Sequence, residues 1–471
     1  MTVSEHTPTP PSATFHIVGA QLVTGEHADI LLRDGVIAQV GTVTDAAGAT
    51  RVDADGLVAL PGLVDLHTHL REPGYEQSET VLTGTQAAAA GGFTAVFAMA
   101  NTLPVADTAG VVEQVASLGA SAGYAMVQPI GAVTVGLAGE RLAELGTMAA
   151  SRARVRVFSD DGLCVSDPLL MRRALEYVKA FDGVIAQHAQ DPRLTVGAQM
   201  NEGALSGEIG MVGWPGVAEE SIIARDVLLA EHVGSHLHVC HLSTAGSVEI
   251  VRWAKARGIR VTAEVTPHHL LLTEELVASY DPRYKVNPPL RRAEDVAALR
   301  DALADGTIDT VATDHAPHPI EAKECEWDAA ANGMVGLESA LSVVHEAMVA
   351  TGLMGWADVA RVLSATPARI GRLTGHGRPI ATDEPANLTL YDPRGRSSFD
   401  LARLVGQSSN SPYLGRVLPG RVVATFHNGY PTQLDGVVRP AEEVAAAARL
   451  AEQRGRSDTP EDNGRHRFTR S

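Results

Sequence analysis

The sequence predicts an α/β fold: a TIM-type (β/α)8 barrel carrying a small β-sandwich domain built from both chain ends. Three observations predict it. The middle of the chain alternates apolar, β-type runs with Ala/Leu/Arg-rich helical stretches, the pattern of parallel βα units. Eight such runs fall between residues 61 and 379. Short alternating strands, set apart by turn pairs, occupy both sides of that middle.

Residues 1–13 are polar and Pro-rich, are expected to be disordered, and lack the basic segment and apolar core of a signal peptide. From 14 to 60, alternation at 15–18, 28–33, 36–40 and 57–60, punctuated by Asp34-Gly35 and Asp55-Gly56, predicts the first strands of the β domain. The eight barrel strands are expected at 62–67, 94–99, 125–130, 155–159, 184–187, 237–240, 260–265 and 310–312, within a catalytic domain over 61–379. Strands return at 387–391 and 421–427, so 380–440 completes the β domain. Residues 441–471 read as a polar tail, with a short exposed helix over 441–454 and disorder over 457–471.

The bulk numbers narrow the function. With 471 residues, 45% of them hydrophobic, a large core can be buried. A formal net charge of −18 argues against nucleic acid and anionic membranes as partners. An anionic ligand would have to be drawn by local cations or metals. Cys164, Cys240 and Cys325 form no Cys-x-x-Cys pair and no disulfide framework, which suits a reducing cytoplasm. The longest apolar stretch, 87–100, is broken by Gly91, Gly92 and Thr94 and reads as helix then buried strand, not a membrane span.

The polar residues cluster at the strand ends, where barrel chemistry sits. His67 and His69, Asn101, Asp160 and Asp161, His188, His241, Thr266 and His268, and Asp314 all fall there. On a strand, residues two apart face one side, so His67 and His69 point together into the barrel mouth. With His188, His241 and Asp314 they make a donor set of four imidazoles and a carboxylate, which suits zinc. His236 and His238 repeat the spacing at the start of the sixth strand. Their parity is opposite to that of His241, so they are expected to face the surrounding helices.

The motifs then become specific. Residues 61–74 (PGLVDLHTHLREPG) and 312–318 (ATDHAPH) resemble the two signatures of the dihydroorotases. Residues 265–270 (VTPHHL), 285–291 (KVNPPLR) and 158–162 (FSDDG) are similar to the bacterial class I branch of that amidohydrolase family, and the resemblance runs from about 14 to 430. It implies that His67, His69, Asp161, His188, His241 and Asp314 bind one or two zinc ions per subunit, with two favoured. It implies a catalytic proton carrier in Asp314, and substrate contacts from His69, Arg71, Asn101, Asn287, His318, Asn332 and Gly333. Asn332 is a departure, since many class I members have Phe there. Asp160, of opposite parity to Asp161, is left as a neighbouring hydrogen-bonding group, and His268 and His269 as supporting residues.

The activity so implied is the reversible, zinc-dependent interconversion of N-carbamoyl-L-aspartate and (S)-dihydroorotate in pyrimidine biosynthesis. The chain is expected to be a cytoplasmic homo-oligomer, and an association with aspartate transcarbamoylase is left open. Two alternatives stand beside this reading: a hydantoinase or dihydropyrimidinase, and an inactive scaffold for aspartate transcarbamoylase. Arg71 speaks against the first, because those substrates present no carboxylate there; the complete ligand set speaks against the second. Related amidohydrolases often bridge their metals with a carbamylated lysine at the end of the fourth strand. The four lysines here, Lys179, Lys255, Lys285 and Lys323, all lie elsewhere, so Asp161 is expected to take that place.

Overall fold

The computed structural model describes residues 14–457. The expectations for 1–13 and for 458–471 lie outside the described residues. Five strands open the chain: β1 (Thr14–Leu22), β2 (His27–Arg33), β3 (Val36–Gly41), β4 (Thr50–Asp53) and β5 (Val58–Pro61). Three parallel strands follow, β6 (Leu63–Thr68), β7 (Phe93–Ala98) and β8 (Met126–Pro129), then β9 (Val157–Phe158) and β10 (Val184–Gln187). A short pair, β11 (Met200–Asn201) and β12 (Gly213–Trp214), lies in the loop beyond β10. β13 (His236–Val239), β14 (Val261–Val265) and β15 (Thr310–Val311) complete the middle. β16 (Leu388–Ser398), β17 (Val417–His427), β18 (Tyr430–Leu434) and β19 (Val437–Val438) close the chain's strand list.

The parallel strands pair in two runs, β6-β7-β8 and β9-β10-β13-β14-β15. Parallel bridges between Gly131 and Phe158 and between Thr68 and His315 join the edges of the two runs, so the eight strands follow one another in a ring. Alternation divides their side chains. Val96, Ile185, Leu237 and Val239 pack outward with helix residues such as Val115, Leu175 and Val248. Val64, Ala95, Phe97, Val184, Ala186, Cys240 and Ala312 gather inside.

The helices form for local reasons. Asp167 caps Pro168–Lys179 by accepting from the Leu170 amide at 2.8 Å, and Pro168 sits at the first turn, where its missing N–H costs nothing. Met171, Ala174, Leu175 and Val178 are its buried face, at the i, i+3, i+4, i+7 spacing of one helical stripe. Burying each of the three larger ones stabilises the fold by about 1.5–3 kcal/mol.

Both chain ends meet in one nine-stranded sheet, ordered β19-β18-β17-β16-β5-β1-β2-β3, with β4 also paired to β1. β16 runs antiparallel to β5, Leu388 opposite Pro61, and so ties residues more than 300 apart beside the first ring strand. Phe15, Ile30, Leu32, Leu388, Leu390 and Phe426 share its core. The final helix, Ala441–Ser457, is not simply exposed: Val444 is buried with Ala89 and Tyr124. No helix of the described residues is long and apolar enough to cross a membrane.

Candidate metal centre and active site

The site stands at the C-terminal ends of the ring strands. β6 carries an extra residue there: Asp65 is opposite Val96 and Thr68 opposite Ala98, three residues against two. Such a bulge re-aims side chains. His67 Nε2 and His69 Nε2 come to 3.2 and 3.3 Å from the same oxygen, Asp161 Oδ2. From the other side, His188 Nδ1 and His241 Nε2 each stand 3.2 Å from Asp161 Oδ1. Asp314 Oδ1 lies 3.1 Å from His69 Nε2 and 3.4 Å from His67 Nε2.

These atoms form two groups able to hold a cation, His67 with His69, Asp161 and Asp314, and Asp161 with His188 and His241. Asp161 belongs to both and offers a different oxygen to each. The donor set fits metal on a second ground: His67 Nε2 is buried and has no hydrogen-bond partner. A third grouping, His67 with Cys240 and Glu264, faces the opposite nitrogen of His67, which Glu264 already engages.

The outer nitrogens of three histidines are accounted for. His67 Nδ1 donates to Glu264 Oε1 at 2.7 Å, His69 Nδ1 to Asn101 Oδ1 at 2.9 Å, and His188 Nε2 to Gln190 Oε1 at 2.7 Å. Each bond fixes a tautomer that turns the other nitrogen inward, the usual support for metal-binding imidazoles. The surrounding carboxylates favour positive charge in this centre. Burial works to lower the pKa of His67, but the charges of Asp161, Asp314 and Glu264 outweigh it and raise it well above the ordinary histidine value. Burial works to raise Asp161 and Asp314, and the imidazoles, His67 foremost, hold both below the usual carboxylate range.

Arg71, His241 and Asp314 all have left-handed backbone, with φ of 64°, 31° and 48°. A non-glycine residue there costs about 1–3 kcal/mol and persists where its surroundings impose it. For His241 the turn has a direct effect. It swings the imidazole out of strand alternation and into the centre.

The rim gathers the remaining residues. Arg71 Nε donates to Pro317 O at 3.1 Å, and its Nη2 lies 3.5 Å from His318 Nε2. Burial lowers the Arg71 pKa to about 10, and the Asp314 and Asp161 carboxylates pull the other way. His318 Nε2 donates to Asn332 O at 2.8 Å. Gly333 has φ 134°, and a Cβ there would meet Ala316 Cβ at 2.7 Å and His318 Nε2 at 2.9 Å. Only glycine fits. Asn287 stands farther round, its Nδ2 donating to Gln190 Oε1 at 3.0 Å. Asp160 points away and binds the amides of Val133 and Thr134 at 2.8 and 2.9 Å. His269 braces the loop behind Asn287 by bonding Pro288 O at 3.2 Å, whereas His268 Nε2 is buried without a partner.

One expectation is overturned. His236 and His238 do not face the helices. His238 Nε2 bonds Glu264 Oε2 at 3.0 Å, and both histidines bond Thr262 Oγ1 at 2.9 Å. Leu237 and Val239 hold the helix-facing positions. Strand parity does not extend to His241, which lies past the end of His236–Val239 in its own turn. Glu264 is the residue missed. Its signal is a carboxylate inside the apolar strand Val261–Val265, two places before the strand-end threonine Thr266. Burial works to raise it, and His67 and His238 bring it down to about 2.

A ring of parallel strands with helices outside, and histidine–aspartate groups able to hold metal at its mouth, defines an amidohydrolase. Solved structures share the fold: L-hydantoinase (dihydropyrimidinase) from Arthrobacter aurescens has TM-score 0.80 at 24% identity, covering 90% of this chain and 97% of its own. Dihydropyrimidinase from Brevibacillus agri has TM-score 0.77 at 20% identity, covering 90% and 96%. Residues 56–247 match the family model described as dihydro-orotase-like. The chain is 78% identical to dihydroorotase of Leifsonia xyli over 425 residues, 90% of this chain and 97% of that one. It is 69% identical to dihydroorotase of Streptomyces coelicolor, covering 89% and 98%, and 56% identical to that of Mycobacterium tuberculosis, covering 88% and 97%. The chain belongs to the dihydroorotase family of cyclic amide hydrolases.

Proposed function

We propose that this chain interconverts N-carbamoyl-L-aspartate and (S)-dihydroorotate in the de novo synthesis of UMP. The observation that carries the reading is the guanidinium of Arg71, held against Pro317 O and His318 at the rim of a cluster able to hold metal. An anionic cyclic imide needs both features. His67, His69, Asp161, His188, His241 and Asp314 would hold zinc, and on this reading two ions, with Asp161 belonging to both ligand groups. Zinc held there would supply Lewis acidity at a carbonyl and bring a water to a pKa of about 7.

The residues do the rest. Arg71 takes the substrate carboxylate in two parallel charge-assisted bonds, with Asn101 and His318 beside it. Asn287 and the backbone of Asn332 and Gly333 meet the ring amides. Asp314 receives the proton of the attacking water. The bond between the ring carbonyl carbon and the ring nitrogen breaks, and Asp314 passes that proton to the leaving nitrogen. The reverse cyclisation uses the same groups.

On the same reading the ring is a TIM-type (β/α)8 barrel over 61–379, and 14–60 with 380–440 form a small β-sandwich. The substrate is a small molecule, and nucleic acid and membranes are not partners. A cytoplasmic homo-oligomer is proposed as well. Three free cysteines accord with that compartment, and light scattering with and without aspartate transcarbamoylase tests the assembly. The deciding assay compares dihydroorotate, dihydrouracil and hydantoin on metal-analysed protein. Dihydroorotate is expected to be hydrolysed fastest; faster turnover of hydantoin would overturn the assignment.

A further inference from the structure

Gln190 lies two residues beyond His188, outside the motifs, and its carboxamide makes three hydrogen bonds. Its Oε1 accepts two hydrogen bonds, from His188 Nε2 at 2.7 Å and from Asn287 Nδ2 at 3.0 Å. Its Nε2 donates to Thr195 Oγ1 at 2.8 Å. The Thr195 hydroxyl in turn donates to the Asp191 carbonyl at 3.0 Å.

That last bond sets the polarity of the whole chain. A hydroxyl has one hydrogen, and Thr195 spends it on a backbone carbonyl that can only accept. Thr195 Oγ1 must then accept from Gln190, so the Gln190 amino group faces Thr195 and its carbonyl oxygen faces the site. Two consequences follow at that oxygen. His188 must carry its proton on Nε2, which leaves the Nδ1 lone pair directed at Asp161 and the centre. Asn287 must turn its amino group to Gln190, which leaves its Oδ1 inward. Asn287 Oδ1 is buried and has no partner. It is an acceptor waiting for a donor, and a ring N–H of a cyclic ureide is such a donor.

We propose that Gln190 is a positioning residue whose single carbonyl oxygen sets both the tautomer of His188 and the orientation of the Asn287 amide, coupling metal retention to recognition of the substrate's ring N–H. The inference rests on the reading of His188 as a ligand and Asn287 as a substrate contact. Loss of such a partner typically weakens metal binding about 10–100-fold.

The test uses Gln190→Met, which keeps the length and removes the polar group, and Gln190→Glu, which keeps an acceptor oxygen. Zinc loss to a chelating indicator is timed without turnover, and KM and kcat for dihydroorotate are measured at saturating zinc. Gln190→Met is expected to speed zinc loss at least about 10-fold and to raise KM by a similar factor. Gln190→Glu should return both toward the native values, and Asn287→Ala should raise KM without speeding zinc loss. A folded Gln190→Met with native zinc loss and native KM overturns the proposal. So do shifts that Gln190→Glu fails to reverse, which would show that the acceptor oxygen is not what the site uses. His188→Ala that holds zinc as the native chain does would sink the underlying site reading instead.

Discussion

At the scale of single residues, the site concentrates three chemically distinct demands in Asp161, Asp314 and Arg71. Asp314 Oδ1 lies 3.1 Å from His69 Nε2, and its proposed roles are to help hold zinc and to carry the proton. Asp314→Asn keeps the shape and removes the base, so turnover is expected to fall at least about 10²-fold, measured at constant zinc content. Arg71→Met should retain zinc while losing most activity on dihydroorotate, because a charge-assisted pair contributes about 1.5–3 kcal/mol; unchanged KM and kcat would refute its role. Asp161 meets four imidazoles with two oxygens. The four lysines are engaged away from Asp161: Lys179 and Lys255 bond Val233 O and Asp309, and Lys285 and Lys323 bond loop carbonyls. Apo-protein should therefore regain activity on adding zinc in carbon-dioxide-depleted buffer, and Asp161→Ala should lose metal and activity together. A strict bicarbonate requirement would place the bridge elsewhere.

At the scale of elements, what could be read from sequence was whatever depends on alternation within one strand. The eight ring strands are apolar runs between helical stretches, and His67, His188 and Asp314 sit where those runs stop. What could not be read depends on how a strand ends or meets its neighbour. The bulge in β6, the left-handed turn at His241 and the pairing of β4 with β1 are relations between segments, invisible in either alone. Glu264 and Gln190 belong to the same kind, since each is defined by a partner on another strand or loop. His376 shows how such a partner creates a pH response. It bonds Thr94 of β7 at 3.1 Å and stacks on His427 of β17. Burial, with His427 beside it, lowers its pKa to about 3. The unfolded chain takes the proton near a pH of about 6.5 and the folded chain does not, so stability falls as pH drops from there toward 3. The slope is about 1.4 kcal/mol per pH unit. The stability advantage of the native chain over His376→Asn, from urea unfolding at fixed zinc, is expected to narrow by about 2 kcal/mol between pH of about 7.5 and about 5. A constant gap would contradict this.

At the scale of the whole molecule, the two chain ends share one core. Phe15 of β1 and Phe426 of β17 meet edge to face with ring centroids 5.5 Å apart. Phe426→Ala is expected to cost about 3–5 kcal/mol by denaturant unfolding, while the kinetic constants of the folded fraction stay native. A loss below about 1 kcal/mol would mean that the ends contribute separately. The seam of the ring has a consequence of another sort. Thr68 bridges His315, the His69 amide donates to the His315 carbonyl at 2.8 Å, and the Thr313 amide donates to Asp65 at 3.0 Å. First and last strands thus join through the very residues that flank the proposed ligands, 245 positions apart for His69 and Asp314. In time, then, a growing chain holds most of its ligands long before it can use them. A polypeptide that stops short of Thr313 has an open ring and five of the six proposed ligands, and tight zinc uptake during refolding would arrive with the final kinetic phase, a clock that strikes only when the circle has closed.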